Sequence, residues 1–147
     1  MTDNLSNLQW EKKSNANDLH DKDSTFSWSN SGTAGDGSAY ISFLQPLNSP
    51  GFAGFSDWRL PTLVELQSII ADFSCRRMFG GSSCICAISP CIDTELDATT
   101  TLASVYWTAT TAIAAPTEAG TVTFDTGGIG AATKTGAAYI RAVRFGF

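Results

Sequence analysis

A few side chains in this sequence have the type and spacing for chemistry. Asp18, Asp21 and Asp23 lie close together in a polar stretch, and carboxylates so spaced suit a calcium ion. The glycine and distal glutamate of an EF-hand loop are missing, and Asx-rich loops also make their own turns without metal. Cys75, Cys84, Cys86 and Cys91 fall within one short segment. They suit one or two disulfides, free thiols, or a zinc knuckle, although one residue between Cys84 and Cys86 is short for zinc. His20 is the only histidine and sits in the polar stretch, so no serine or cysteine has a visible partner base. Asp57 and Glu65 are a candidate carboxylate pair, but Asp57 reads better as the partner of Arg59 and Glu65 as a helix cap. The run Gly127-Gly128-Ile129-Gly130 lacks the lysine and following helix of a phosphate loop. No catalytic residue is expected.

The elements that would position these residues centre on one helix. Thr62 and Glu65 form a capping box, Pro61 stops any helix entering from upstream, and Leu63, Leu66, Ile69 and Ile70 give an apolar stripe. The helix is expected to end near Asp72. An earlier helix, capped by Asp36 or Ser38, carries Tyr40, Ile41, Phe43 and Leu44 and is ended by Pro46 and Asn48-Ser49-Pro50-Gly51. Leu8 and Trp10 mark a short strand, Phe26 and Trp28 another, and residues 75–91 a cysteine-rich insertion. Tyr106-Trp107, Val122-Thr123-Phe124, a segment from Ile129, and an alternating run from Tyr139 to Phe145 supply the later strands. In that last run Arg141 faces the core and pairs with Asp57 or Glu65; a register one residue off exchanges Arg141 with Arg144. Helices followed by a small antiparallel sheet make the class α+β.

Bulk properties set further limits. The 147 residues suit one domain spanning 1–147, and 43% hydrophobic content supports a packed core. A net charge of −5, without clustered basic residues, argues against nucleic-acid or polyanion partners. No apolar run is long enough to insert in a membrane, and no signal peptide is visible at the start. Disulfides would favour an extracellular, virion or cell-surface setting.

The run Gly54-Phe55-Ser56-Asp57-Trp58-Arg59-Leu60-Pro61-Thr62, with Glu65-Leu66, resembles the signature of the Lcl-type C-terminal domain family. Leu8-Gln9-Trp10, Leu19-His20-Asp21-Lys22-Asp23, Pro90-Cys91-Ile92-Asp93, Val105-Tyr106-Trp107 and Tyr139-Ile140-Arg141 follow in the family's order. The resemblance implies a C-type lectin-like fold of the formylglycine-generating-enzyme branch, in which Asp57, Trp58, Arg59, Glu65, Trp107 and Arg141 serve as scaffold. That enzyme branch uses a reactive cysteine pair near its C-terminal part, where this chain has no cysteine. The resemblance also implies a comparison with adhesin domains and with variable proteins diversified by retroelements, which rewrite one C-terminal segment of such a domain.

Within residues 106–144, large frame residues alternate with gaps filled by Ala, Thr and Gly. A ligand-binding surface is expected there, over residues 108–117 and 125–138. Its candidates are Thr108, Thr110, Thr111, Ala112, Ile113, Thr126, Gly128, Gly130, Ala131, Ala132, Thr133, Thr135 and Ala137. The expected function is non-enzymatic recognition of a cell-surface protein or glycan by a retroelement-diversified protein. The alternatives are a fixed carbohydrate-binding adhesin domain and, behind it, a formylglycine-generating oxidoreductase. No cofactor beyond calcium is expected; a homo-oligomer would supply avidity.

Overall fold

The structure is a computed structural model that describes residues 1–3, 6–71, 86, 88–96 and 99–146. In chain order its elements are β1 (Thr2–Asp3), β2 (Leu8–Trp10), β3 (Phe26–Ser27), a π-helical turn (Ala39–Leu44) running into α1 (Gln45–Asn48), and α2 (Leu63–Ser68). A 3-10 turn (Thr94–Leu96) precedes β4 (Val105–Ala112), β5 (Ala115–Thr123), β6 (Ile129–Thr133), β7 (Ala137–Ala138) and β8 (Val143–Phe145). The strands form three antiparallel sheets in the orders β1-β2-β8, β3-β7 and β4-β5-β6. Short helices beside antiparallel sheets make the fold α+β.

The Thr62 cap forms as its sequence predicts. Thr62 is extended, its hydroxyl accepts from the Glu65 amide at 3.3 Å, and its own amide donates to Glu65 Oε2 at 2.7 Å. Two of the amides that a helix start leaves without partners are thereby satisfied. Leu66, Ile69 and Ile70 are buried with Leu8, Trp10, Tyr106, Val122, Phe124 and Val143 in one core cluster. The helix stops at Ser68 rather than near Asp72, which lies outside the described residues. The Ile70 amide bonds Gln67, three residues back, and the Asp93 amide takes the Ile69 carbonyl at 2.9 Å, so the returning chain ends the helix.

The first helical segment also departs from its expectation. Ser38 makes no side-chain cap and the Asp36 carboxylate is used elsewhere; the helix passes Pro46 and ends at Asn48, within the expected stop. The Gln45 amide bonds the Tyr40 carbonyl, five residues back. Pro46 follows in the first turn of α1, where the helix passes from π to α and the ring's fixed φ suits the helical backbone. Ala39, Phe43, Leu44 and Leu47 pack with Trp28, Trp58, Leu60, Trp107 and Ile140 in a second cluster.

The last strand is not one alternating run. Residues 137–138 pair with β3, residues 143–145 pair with β2, and the segment between them is irregular. Ile140, Arg141, Ala142, Val143 and Arg144 are all buried. Period-two alternation is lost because this segment threads the interior and is covered on both sides. Tyr139 exchanges backbone bonds with Val105 and Trp107, and Val143 with Arg59; the Glu11 amide donates to the Ala142 carbonyl, and the Ala142 amide donates to the Glu11 carboxylate.

Candidate ligand-binding surface

The candidate surface is the outer half of the β4–β5 hairpin with β6. Tyr106, Trp107, Thr108, Ala119, Gly120, Thr121 and Val122 are buried, whereas Ala109, Thr110, Thr111, Ile113, Ala114, Pro116 and Thr117 are exposed. The sequence leaves the residues around 108–117 as surface; in the structure they are strand, because the ladder continues past the core to a tip at Ile113-Ala114. The register shifts between Trp107 and Thr111, a bulge that turns β4 toward α2. There Ala109 donates to the Pro61 carbonyl at 2.7 Å, and the Leu63 amide, an orphan donor of α2, finds the Thr110 hydroxyl at 3.0 Å.

Frame residues are buried and bonded. The Trp107 indole nitrogen donates to the Phe26 carbonyl, and that of Trp28 donates to the Thr108 carbonyl. Lys134 is buried at 1% exposure, with its ammonium 4.0 Å from the centre of the Trp28 ring. It donates to the Thr33 carbonyl and the Thr111 hydroxyl, both at 2.9 Å, and so docks the loop before the π-helical turn against the hairpin. The loop is organised by Asp36, which accepts from Ser29 Oγ and from the amides of Asn30 and Ser31. Those bonds, the Asn30 amide first, hold its carboxyl down at about 2. Gly37 closes the loop where any Cβ would overlap the Ser27 carbonyl.

Several predicted contacts prove structural. Thr108 is fully buried and bonds the Gly120 carbonyl at 2.8 Å. The Thr110 and Thr111 hydroxyls serve α2 and Lys134, and that of Thr126 accepts from the Gly128 amide within its turn. Ala112, Ala132 and Gly128 are half-buried; Ile113, Gly130, Ala131, Thr133, Thr135 and Ala137 are exposed.

The expected ion pairs are redistributed. Asp57 accepts from Arg144 Nε at 2.6 Å, not from Arg59, and Arg144 lies over the Phe55 ring at 3.6 Å. Arg59 instead forms a two-pronged pair with Glu65 at 2.6 and 2.8 Å. Arg141 pairs with neither: it donates to the Glu11 carbonyl and to Thr101 Oγ1. Arg141 does face the core, but the arginine on Asp57 is Arg144, the exchange that a register one residue off gives. Trp58 is buried, with its indole nitrogen on the Phe52 carbonyl.

Asp18, Asp21 and Asp23 do not converge as calcium ligands. Asp21 accepts from the amides of Asn17 and Asp23, Asp18 from Ser14 Oγ and the His20 amide, and Asp23 pairs with Lys22. Among the described residues no group of three or more His, Cys, Asp or Glu is placed to hold a metal ion. Of the cysteines, Cys86 and Cys91 form a disulfide; Cys75 and Cys84 lie outside the described residues. Gly127, at φ +76°, packs against that bridge, where a Cβ would sit 3.1 Å from Cys91 Sγ. No helix among the described residues is long and apolar enough to cross a membrane.

The match to the Lcl C-terminal domain model runs over residues 1–144. The chain belongs to the Lcl C-terminal domain family. No curated protein and no solved structure matches it. Within this family member, the matched region takes in a buried charge centre that sequence reasoning missed. Glu11 is wholly buried; its Oε1 lies 3.0 Å from Lys13 Nζ and 2.9 Å from His20 Nδ1, and its Oε2 accepts from the Ala142 amide. Burial pushes the Lys13 ammonium below its usual range, although Glu11 opposes the shift. His20 stacks on Phe52 at 4.2 Å, so it fastens the Asp-rich loop to the interior rather than standing free on the surface. The run Trp10-Glu11-Lys12-Lys13 reads as a strand end, and nothing in it marks the glutamate as internal.

Proposed function

We propose that this Lcl C-terminal domain is a non-enzymatic recognition protein. Its binding surface is the exposed part of β4–β6, carried on a C-type lectin-like scaffold and diversified by a retroelement. One observation carries the reading: between residues 106 and 141 the large frame residues are buried, and the exposed positions are filled mostly by small residues. Tyr106, Trp107, Phe124, Lys134, Ile140 and Arg141 are at most 1% exposed. Half of the residues between them are exposed, among them Ile113, Gly130, Ala131, Thr133 and Thr135, while Thr108, Ala119, Gly120 and Thr121 lie inside with the frame. Rewriting exposed gap positions leaves the core untouched, which is what a tolerant binding scaffold requires. The pairing of β2 with β8 near the chain ends and the β4–β6 meander support the lectin-like scaffold. The single histidine is engaged by Glu11 and Phe52, in keeping with a binding role.

Sequencing the genomic DNA downstream of the gene tests diversification. The expected result is a near-identical copy of the segment encoding residues 106–144, differing only at adenines, beside a reverse transcriptase gene. Finding no such copy would leave a fixed recognition domain.

A further inference from the structure

We propose that the Cys86–Cys91 disulfide is a redox-sensitive latch on the turn between β5 and β6. Oxidised, it holds residues 124–128 closed. Reduced by a dithiol, it lets that turn open while the rest of the domain stays folded. Residues 125–128 lie in the segment expected to bind ligand, so the consequence for binding rests on the recognition reading above; the latch itself does not. The turn leans on both sulfurs. Gly127 is buried, although Asp125 and Thr126 before it are exposed. The heavy atoms nearest the place of a Cβ on Gly127 are Cys91 Sγ at 3.1 Å, Ile70 Cγ2 at 3.2 Å and Cys86 Sγ at 3.5 Å. The missing side chain is what lets the bridge close against the turn. From the same segment, Ser89 Oγ donates to Asp125 Oδ1 at 3.3 Å. The turn is closed by two backbone bonds of its own, from the Gly127 amide to the Thr123 carbonyl and from the Thr123 amide to the Gly128 carbonyl, both at 2.8 Å.

The two cysteines are held unequally. Cys91 is wholly buried in the core cluster with Ile69, Ile70, Ile92 and Phe124. Its amide donates to the Phe124 carbonyl at 2.6 Å, and the Asp93 amide donates to the Ile69 carbonyl at 2.9 Å. Those contacts keep Cys91 in place without the bridge. Cys86 is only half-buried, so a reductant reaches its sulfur and not that of Cys91. A thiolate of the dithiol attacks Cys86 Sγ, the S–S bond breaks, and Cys91 leaves as a thiolate that takes up a proton. The second thiol of the reductant then attacks the mixed disulfide, releases Cys86 as a thiol and leaves the reductant as its own disulfide. Two electrons and two protons thus pass from the dithiol to the bridge. Cys86 is then free to withdraw and uncover one side of Gly127. The bridge spans a sequence separation of only 5, so its loss returns little freedom to the unfolded chain and the effect stays local.

The test follows amide hydrogen exchange in the full chain with and without dithiothreitol, while alkylation and mass measurement count the free thiols. Reduction is expected to speed exchange at the Gly127 amide at least about tenfold. Exchange should hold at Leu66 and Ala109, whose amides bond the Thr62 and Pro61 carbonyls away from the bridge. Cys86→Ser should give the same fast exchange at Gly127 without reductant, and dithiothreitol should then add nothing. An unchanged Gly127 amide in the reduced chain overturns the inference, as does a folded chain that dithiothreitol cannot reduce. Equal acceleration at Leu66 and Ala109 would make the bridge a staple of the whole domain and not a latch. Fast exchange in the reduced native chain but not in Cys86→Ser would assign the effect to other cysteines and overturn it too. Each readout is taken without a ligand, so failure of the latch leaves the recognition reading standing.

Discussion

Glu11 is wholly buried and its carboxylate meets Lys13, His20 and the Ala142 amide, while Ile113, at the hairpin tip, is wholly exposed. Around Glu11 each side chain has a fixed polar partner, and a change at one strands another. Around Ile113 the neighbours are small and in solvent, so substitution there changes what the surface presents and little else. The contrast shows how one domain keeps a strict interior and a permissive surface within the same family fold. Lys134 stands at the boundary, buried itself yet fastening the exposed Thr111.

The largest effect that would sharpen this contrast is expected at Glu11. Glu11→Leu leaves the Lys13 ammonium and the Ala142 amide without their acceptor, and unfolding in urea should show a loss of about 3–5 kcal/mol. A loss under 1 kcal/mol would break the comparison. Lys134→Met keeps the bulk but removes two hydrogen bonds and the charge over Trp28, a loss of about 2 kcal/mol. Hydrogen exchange in that variant should speed up at Thr33 and Thr111 and stay unchanged at Leu66. Replacing Cys86 and Cys91 by serine should cost about 2 kcal/mol through the short loop they close. An unchanged melting temperature would argue that the bridge is dispensable.

A pH effect of smaller size follows from Glu65. The Arg59 guanidinium, then the Thr62 amide, draws its carboxyl from 4.5 down to about 2 despite partial burial. The folded pKa lies below the unfolded one, so the contribution to stability is complete above about pH 4.5 and is lost as pH falls toward 2. The urea midpoint should drop through that window in the native chain, and less steeply in Glu65→Gln. An identical decline in both would remove the Arg59–Glu65 pair from the account. Asp36, also held at about 2, adds to the decline in the same direction. The smallest effects are expected at the exposed gaps. Thr117→Ser, Ala131→Ser and Thr135→Ser should each change stability by less than about 0.5 kcal/mol. A loss above 1 kcal/mol at any of them would mean that the gap positions are packed after all.

The sequence by itself determined the elements whose signals are local. The Thr62–Glu65 cap lies within one helical turn, the Leu8–Trp10 strand has its own alternation, and the aromatic residues of the β4–β5 region are too large to lie outside a core. It also placed Tyr106, Trp107 and Phe124 inside, because large side chains bury the most area, but not the small Thr108, Ala119, Gly120 and Thr121, which are buried as well. Only the tertiary structure decided the polar partnerships. Arg144 rather than Arg59 meets Asp57, 87 residues away, and Glu11 accepts from the Ala142 amide 131 residues on. Contacts at such separation leave no periodic trace in the chain. Charge alone did not say that Arg141 and Arg144 both go inward, because the last segment crosses the interior without a regular register. Likewise, Thr108 and Ile113 both looked like surface contacts; their fates diverged where the hairpin leaves the core, a boundary fixed by what packs beneath it.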